Sequence, residues 1–296
     1  MRPNLRNVLL ASVALAGCSS SAANLKPTPP SAAGPRSTPV VQGRAAVNGI
    51  QLYYEVHGGG AGTPLVLLHG GGSSIEVTYG QILPHFAGHR RVIALDEQNH
   101  GRSEHRNIPQ RFTDSADDVA AVLRHLGVQQ ADLMGFSNGA SVAMQVAIRH
   151  PGLVRKLVFA ASMTKRSGTA PQFWQDMAQA TFESMPQPLK DAFLKVDPDP
   201  ARLRDMYEKD VERMRNFVET PDVVVQALTL PTLIVSGDRD VPTPEHAVEL
   251  FRLLPHAQLL ILPGVHGELL GELGAGPHSA RDAEVSAYLV QRFLDE

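Results

Sequence analysis

Three kinds of side chain in this sequence could together break an acyl bond: a presented hydroxyl, an imidazole to take its proton, and a carboxylate to orient the imidazole. The hydroxyl candidate is Ser137, in Gly135-Phe136-Ser137-Asn138-Gly139. A bare G-x-S-x-G is a weak signal, and a glycine-rich turn with an idle serine would carry it too. The context adds weight. A buried-strand run, Ala131-Asp132-Leu133-Met134, precedes it, and a good helix, Ala140-Ser141-Val142-Ala143-Met144-Gln145-Val146-Ala147, follows. A serine on a tight strand-turn-helix bend exposes its Oγ beside the positive end of a helix, where negative charge would develop.

The base must be found among 12 histidines. His266, in Leu262-Pro263-Gly264-Val265-His266-Gly267, follows the last predicted strand, and loops beyond strand C-termini are where sites form in such sheets. His246 and His256 fall on or beside a predicted helix and His278 at the start of the final one, so these read as surface residues. The acid should lie between serine and histidine in chain order. Ser236-Gly237-Asp238-Arg239-Asp240-Val241-Pro242 follows a strand and offers two carboxylates. The site needs one that is buried against the imidazole, and spacing alone does not choose between Asp238 and Asp240. His69-Gly70-Gly71-Gly72, directly after an apolar strand, resembles the HGGG-type loop whose N–H groups complete an oxyanion hole. The expected donors are the backbone N–H groups of Gly71 and Asn138, with Gly72 as the alternative to Gly71, and His69 is expected to hold the loop. Zinc-type His spacings and a phosphate loop are missing, and Gly58-Gly59-Gly60 reads as a turn, so no metal or cofactor is expected.

The elements that must position these residues are legible as an alternation. Ala45-Ala46-Val47 and Ile50 to Val56 flank Asn48-Gly49, a hairpin signal. Short apolar runs follow at residues 65–68, 91–95, 131–134, 156–160, 232–235 and 258–262, as strands buried on both faces should read. Helical patterns lie between them at 114–126, 138–149 and 244–254, with a terminal one at 279–294; Asp114, Asp117 and Asp118 are expected in the first turn of the helix over 114–126, where the helix dipole favours them. The pattern predicts an α/β fold with a doubly wound, mostly parallel sheet. Residues 163–227 interrupt it with helix-like pieces broken by Pro186, Pro188, Pro198 and Pro200. They hold Trp174 and the methionines Met163, Met177, Met185, Met206 and Met214. This insertion reads as a helical cap whose large apolar residues mostly pack its own helices.

At 296 residues, 43% hydrophobic and 19% charged, the chain can bury a sizeable core. A net charge of −3 gives no nucleic-acid footprint. Arg2 and Arg6 precede a short apolar run from Val8 to Ala16, an export-signal pattern too short to span a bilayer. Leu15-Ala16-Gly17-Cys18 resembles the bacterial lipobox. That resemblance implies a signal over 1–17, lipidation of Cys18 and membrane anchoring of an exported protein. Ser19 after the cysteine favours the outer membrane, on the periplasmic side. Residues 18–41, rich in Ser, Ala and Pro, read as a tether that cannot bury enough surface to fold, leaving 42–296 as the folded domain.

From Gly49 onward the chain resembles the α/β-hydrolase superfamily with a helical cap. The motifs quoted above carry the likeness, together with Asp96-Glu97-Gln98-Asn99-His100-Gly101-Arg102-Ser103, similar to the family's D-x-R-G-x-G-x-S turn with Gln98-Asn99 in place of Arg-Gly. The resemblance implies Asp240 as the acid, from the last position of G-x-x-D over Gly237 to Asp240. It also implies a Ser137–His266–Asp240 triad cleaving a carboxylic ester of a small molecule. Lactone or carbon–carbon bond hydrolysis on the same triad, and a non-catalytic ligand-binding lipoprotein, are the alternative readings. Serine rather than aspartate at position 137 argues against haloalkane dehalogenase and epoxide hydrolase chemistry.

Overall fold

The computed structural model describes residues 41–276 and 280–296. The expected signal, Cys18, nearly all of the tether and His278 lie outside the described residues. Eight strands form one sheet: β1 (Val41–Val47), β2 (Ile50–His57), β3 (Leu65–Leu68), β4 (Val92–Leu95), β5 (Ala131–Phe136), β6 (Val154–Ala160), β7 (Thr232–Gly237) and β8 (Ala257–Leu262). Their spatial order is β1-β2-β4-β3-β5-β6-β7-β8. The β1/β2 and β2/β4 pairs are antiparallel and the rest parallel. The β1–β2 turn has positive φ at both Asn48 (48°) and Gly49 (83°), the signature of a type I′ hairpin. Every residue of β3, β4 and β5 is buried, which is why these strands read as unbroken apolar runs rather than alternating ones.

Between the strands run α1 (Ile75–Tyr79), α2 (Leu83–Ala87), α3 (Phe112–His125), α4 (Asn138–Arg149), α5 (Pro171–Gln179), α6 (Gln187–Val196), α7 (Pro200–Arg215), α8 (Asp222–Gln226), α9 (Pro244–Leu253) and α10 (Ala280–Asp295). One face of the sheet packs on α3, α4 and α9 through residues such as Val119, Leu123, Val142, Val146 and Leu250. The other packs on α1, α2 and α10 through Tyr79, Phe86, Ala287, Val290 and Phe293. Each such large side chain contributes roughly 1.5–3 kcal/mol when fully buried. The chain leaves β3 for one neighbour, β4, and returns to the opposite side at β5. The crevice beyond the C-terminal ends of β3 and β5 is therefore the switch point at which this class of sheet binds ligands.

One detail departs from the sequence reading. The helix α3 begins at Phe112, so Asp117 and Asp118 lie beyond its first turn and are not dipole partners. Asp117 pairs with Arg149 and His150, and buried Asp118 holds Arg106 and the Asn48 amide.

Between β6 and β7 the chain forms only helices and short 3-10 turns, α5 to α8. Two apolar clusters hold this region together. One gathers Met163, Phe173, Met214 and Phe217 with Trp174, Met177 and Val241, and the other Met185, Phe193, Leu203 and Met206 with Phe182 and Tyr207. Trp174 packs edge-on to Phe173 and donates its indole N–H to the Arg166 carbonyl. Among the described residues no helix is long and apolar enough to cross a membrane.

Candidate active site

Ser137 sits at the turn from β5 into α4 with φ 54° and ψ −121°. A side-chain-bearing residue with positive φ costs on the order of 1–3 kcal/mol and persists only where the surroundings impose it. Here they do: the Ser137 N–H donates to the Ala160 carbonyl of β6 at 2.9 Å. Two residues on, a Cβ at Gly139 would stand 2.1 Å from the Leu68 carbonyl oxygen, so only glycine lets the start of α4 lie against β3.

The structure brings His266 and Asp240 to this turn. His266 Nε2 lies 3.1 Å from Ser137 Oγ, and Nδ1 lies 2.6 Å from Asp240 Oδ1. A carboxylate only accepts, so Nδ1 carries the proton and donates it to Asp240, which leaves Nε2 to accept from the serine hydroxyl. Asp240 is itself fixed by the N–H groups of Gly237 and Val241, at 3.0 and 2.7 Å. The imidazole packs on the Phe136 ring, 4.7 Å between centroids. Burial works against an imidazolium here, but the charge and hydrogen bond of Asp240, with a smaller contribution from Glu272, outweigh it and raise the pKa of His266. Asp238 does not reach the histidine. Its side chain is half exposed, accepts the Gly264 N–H at 2.8 Å and meets Arg239 at 3.4 Å, so it braces the start of the loop that carries His266.

The glycine loop after β3 faces Ser137. The Gly72 N–H is committed to Asp210 Oδ2 at 2.6 Å and the Gly70 N–H to Thr78 Oγ1 at 3.3 Å. Among the described residues neither the Gly71 nor the Asn138 N–H has such a partner. The Asn138 side chain closes over Gly71, where a Cβ would come within 2.4 Å of Nδ2. His69 is buried and fully engaged: Nδ1 donates to the Gly70 carbonyl at 2.7 Å, and Nε2 accepts the Glu97 N–H at 2.9 Å. Burial, with the neighbouring His100, lowers its pKa and keeps the ring neutral. His246, read from sequence as a surface residue, is buried instead. It accepts the Thr164 N–H at 3.1 Å and meets Glu249 at 3.0 Å, away from Ser137's hydrogen-bonded line.

Behind the glycine loop lies a buried ionic network. His100 donates from Nδ1 to the Gln98 carbonyl and from Nε2 to Asp210 Oδ2, at 2.9 and 2.8 Å. Arg213 joins Asp210 Oδ1 at 2.6 Å to Glu97 Oε1 at 2.5 Å. Burial opposes all four charges, yet the pairing wins: His100 and Arg213 are raised, Glu97 is lowered, and Asp210 is held well below the usual carboxylate range. The unusual Gln98-Asn99 pair fits this turn. Asn99 adopts φ 66°, the left-handed region that Asn tolerates better than most residues. Both side chains are buried and hydrogen-bonded, Gln98 to Ser115 and Arg106, and Asn99 to Gln110 and the Arg106 N–H. Asp96 ties the turn to α1 through the Ile75 N–H at 2.9 Å.

Sequence reasoning missed Asp210, Arg213 and Glu97, and also Glu272, a buried carboxyl beside the His266 loop. Asp210 and Arg213 lie at i,i+3 on a charged helix and resemble a solvated pair. Their partners are 138 and 116 residues away in the chain, so no local signal marks them.

A profile described as alpha/beta hydrolase fold matches residues 63–202. The chain is 37% identical over 131 residues to 2-hydroxymuconate semialdehyde hydrolase from Pseudomonas sp. (strain CF600), a match covering 43% of this chain and 46% of that protein. It is 30% identical over 240 residues to the dihydrolipoyllysine-residue acetyltransferase component of the acetoin cleaving system from Pseudomonas putida, covering 74% of this chain and 62% of that one. It thus spans about half to three-fifths of the length of these two relatives. The crystal structure of the enol-lactonase from Burkholderia xenovorans LB400 superposes with a TM-score of 0.68 at 22% identity, covering 86% of this chain and 100% of that chain. The sheet order, the matched profile and these likenesses give the chain the α/β-hydrolase fold.

Proposed function

We propose that the protein is a serine hydrolase that cleaves a carboxylic ester or related acyl bond of a small molecule through an acyl-enzyme. The observation that carries this reading is the unbroken line from Ser137 Oγ through His266 to Asp240, at 3.1 and 2.6 Å. In that arrangement His266 takes the hydroxyl proton as Ser137 attacks the carbonyl carbon. Asp240 stabilises the imidazolium, and the proton then passes to the leaving group. The N–H groups of Gly71 and Asn138 would hold the oxyanion, an interaction worth roughly 2.7–4 kcal/mol per donor in comparable sites. Water then enters by the same base to release the acid. A binding protein without catalysis would have no use for a strained serine, a tautomer-fixed histidine and an uncommitted pair of amides in one place.

Hydrolysis of a carbon–carbon bond is the second reading, supported by the likeness to 2-hydroxymuconate semialdehyde hydrolase. The test is turnover of p-nitrophenyl acetate and butyrate by the full chain, beside a vinylogous 1,5-diketone acid and a lactone panel. Ser137→Ala should lower kcat on the order of 10⁶-fold. Absence of turnover on every substrate, together with no fluorophosphonate labelling of Ser137, overturns the hydrolase reading.

We also propose the cellular address implied by Leu15-Ala16-Gly17-Cys18: a lipid on Cys18 holding the enzyme at a bacterial membrane. Cys18→Ala should release the protein from the membrane fraction. Retention there, with no acylated N-terminus by mass spectrometry, sinks the proposal.

A further inference from the structure

The His266 loop returns toward the glycine loop within six residues, and Glu272 is where the two meet. The Glu272 N–H donates to the Gly267 carbonyl at 3.1 Å. This folds the side chain back under the histidine's neighbour, so closely that a Cβ on Gly267 would lie 2.5 Å from Glu272 Oε2. Oε1 accepts from Thr78 Oγ1 at 3.4 Å, and Thr78 Oγ1 is 2.7 Å from Ser73 Oγ, which also bonds the carboxyl. Thr78 Oγ1 in turn receives the Gly70 N–H. One buried carboxyl thereby links the backbone beside His266 to the loop that carries Gly71.

Among the described residues Glu272 has no Lys, Arg or His within ion-pair distance, unlike Asp210, Glu97 and Asp240. The group able to carry positive charge that acts on it is His266. The other titratable groups that feel it are Asp240, from the turn after β7, and Tyr79 on α1, whose buried hydroxyl donates to the Leu68 carbonyl. Glu268, in the same loop, is turned to the Val265 N–H at 2.8 Å. Ser74, Val77, Gly271 and Leu273, the residues flanking this cluster, line a cleft of about 640 Å³.

We propose that Glu272 is a positioning residue and a second carboxyl acting on His266: it braces the histidine loop against Ser73 and Thr78, and in its ionised form it supports the imidazolium alongside Asp240. This rests on the serine-hydrolase reading for its catalytic meaning but not for its electrostatics. Burial pushes the Glu272 carboxyl up to about 7 against the pull of His266, Thr78 and Ser73, so it changes charge in the range where the base works. The two groups then titrate as a pair.

The experiment compares the full chain with Glu272→Gln, which keeps an acceptor for Thr78 while removing the charge. Without the anion the pKa of His266 falls. The acid limb of kcat/KM for p-nitrophenyl butyrate should move down by at least about half a pH unit, a threefold relative gain at a pH on that limb. The limb should also simplify to one proton. Coincident profiles for variant and wild type overturn the proposal. A purely structural role would change the plateau or the melting temperature and leave the limb in place. NMR titration of the His266 Hε1 proton in unmodified protein gives a readout free of turnover. A two-step titration is expected, and a single simple step overturns the proposal even if the variant does not fold. If no substrate turns over but the titration is coupled, the hydrolase reading fails and the assignment of Glu272 stands.

Discussion

Ser137, His266 and Asp240 differ in what each would lose on substitution. Asp240 takes the Nδ1 proton and two backbone N–H groups, so Asp240→Asn would keep the fold while offering the imidazole the wrong tautomer. We expect kcat to fall on the order of 10⁴-fold with KM little changed, measured against Asp238→Asn, which should stay within a few-fold of wild type because Asp238 does not reach His266. The pH dependence follows from the direction of the His266 shift. The base works only when neutral, and its pKa is raised above the ordinary 6.5. Activity should therefore rise with pH along an acid limb whose midpoint lies above 6.5, read from kcat/KM over pH 5 to 9. A midpoint below 6.5 would mean that burial, not Asp240, governs the imidazole.

At the scale of elements, the cap is hydrogen-bonded to the glycine loop through helix α7. Asp210 on α7 binds the Gly72 N–H and is satisfied by His100 and Arg213. Asp210→Ala would leave the buried His100 and the Gly72 amide without their carboxylate and Arg213 with Glu97 alone, and should cost about 3–5 kcal/mol of stability, visible as a lower denaturation midpoint. Asp210→Asn keeps an acceptor, so the loss should be smaller. In both, kcat should fall more than KM rises, because the loop that positions Gly71 loses its tie; a rise in KM alone would show that the cap only shapes the pocket. The elements themselves were largely legible in the sequence. β3, β4 and β5 are buried on both faces and announce themselves as apolar runs, and Asn48-Gly49 marks its turn. Ser137 and His266 were legible because their motifs fall at strand ends. Choosing between Asp238 and Asp240 needed the family likeness, since both follow the same strand. Asp210, Arg213 and Glu272 were not legible: their burial comes from partners far off in the chain or from a loop that doubles back, and neither leaves a period or a spacing. The short helices α1 and α2 escaped for a related reason, being too brief to show a repeat.

For the molecule as a whole, stability should carry the mark of Glu272. Its carboxyl stands at about 7 in the folded protein against an ordinary 4.5. Below 4.5 it is protonated folded or unfolded and makes no difference. As pH rises through 4.5 the unfolded chain ionises first, and above 7 the folded state bears the full penalty of a buried anion, up to about 3 kcal/mol. Glu272→Gln should therefore raise the thermal midpoint at pH 8 and leave it unchanged at pH 4. Equal effects at both values would show that the carboxyl is not held neutral by burial. Asp210 works in the opposite sense: its pKa is lowered, so its contribution is present above the unfolded value of 3.8 and disappears in acid.

The bond between Asp210 and the Gly72 amide also bears on how such a protein can be altered by evolution or by design. A cap is commonly pictured as a cassette, exchanged to change substrate range while the sheet below keeps its chemistry. Here a carboxylate of the cassette is wired into the apparatus beneath it. A transplanted cap would have to bring an acid at the place of Asp210 and a guanidinium at that of Arg213, or leave His100 and Glu97 facing each other without them. Selectivity and turnover in this lineage are thus expected to drift together, and a chimera that restores both residues should recover activity that an otherwise better-fitting cap does not.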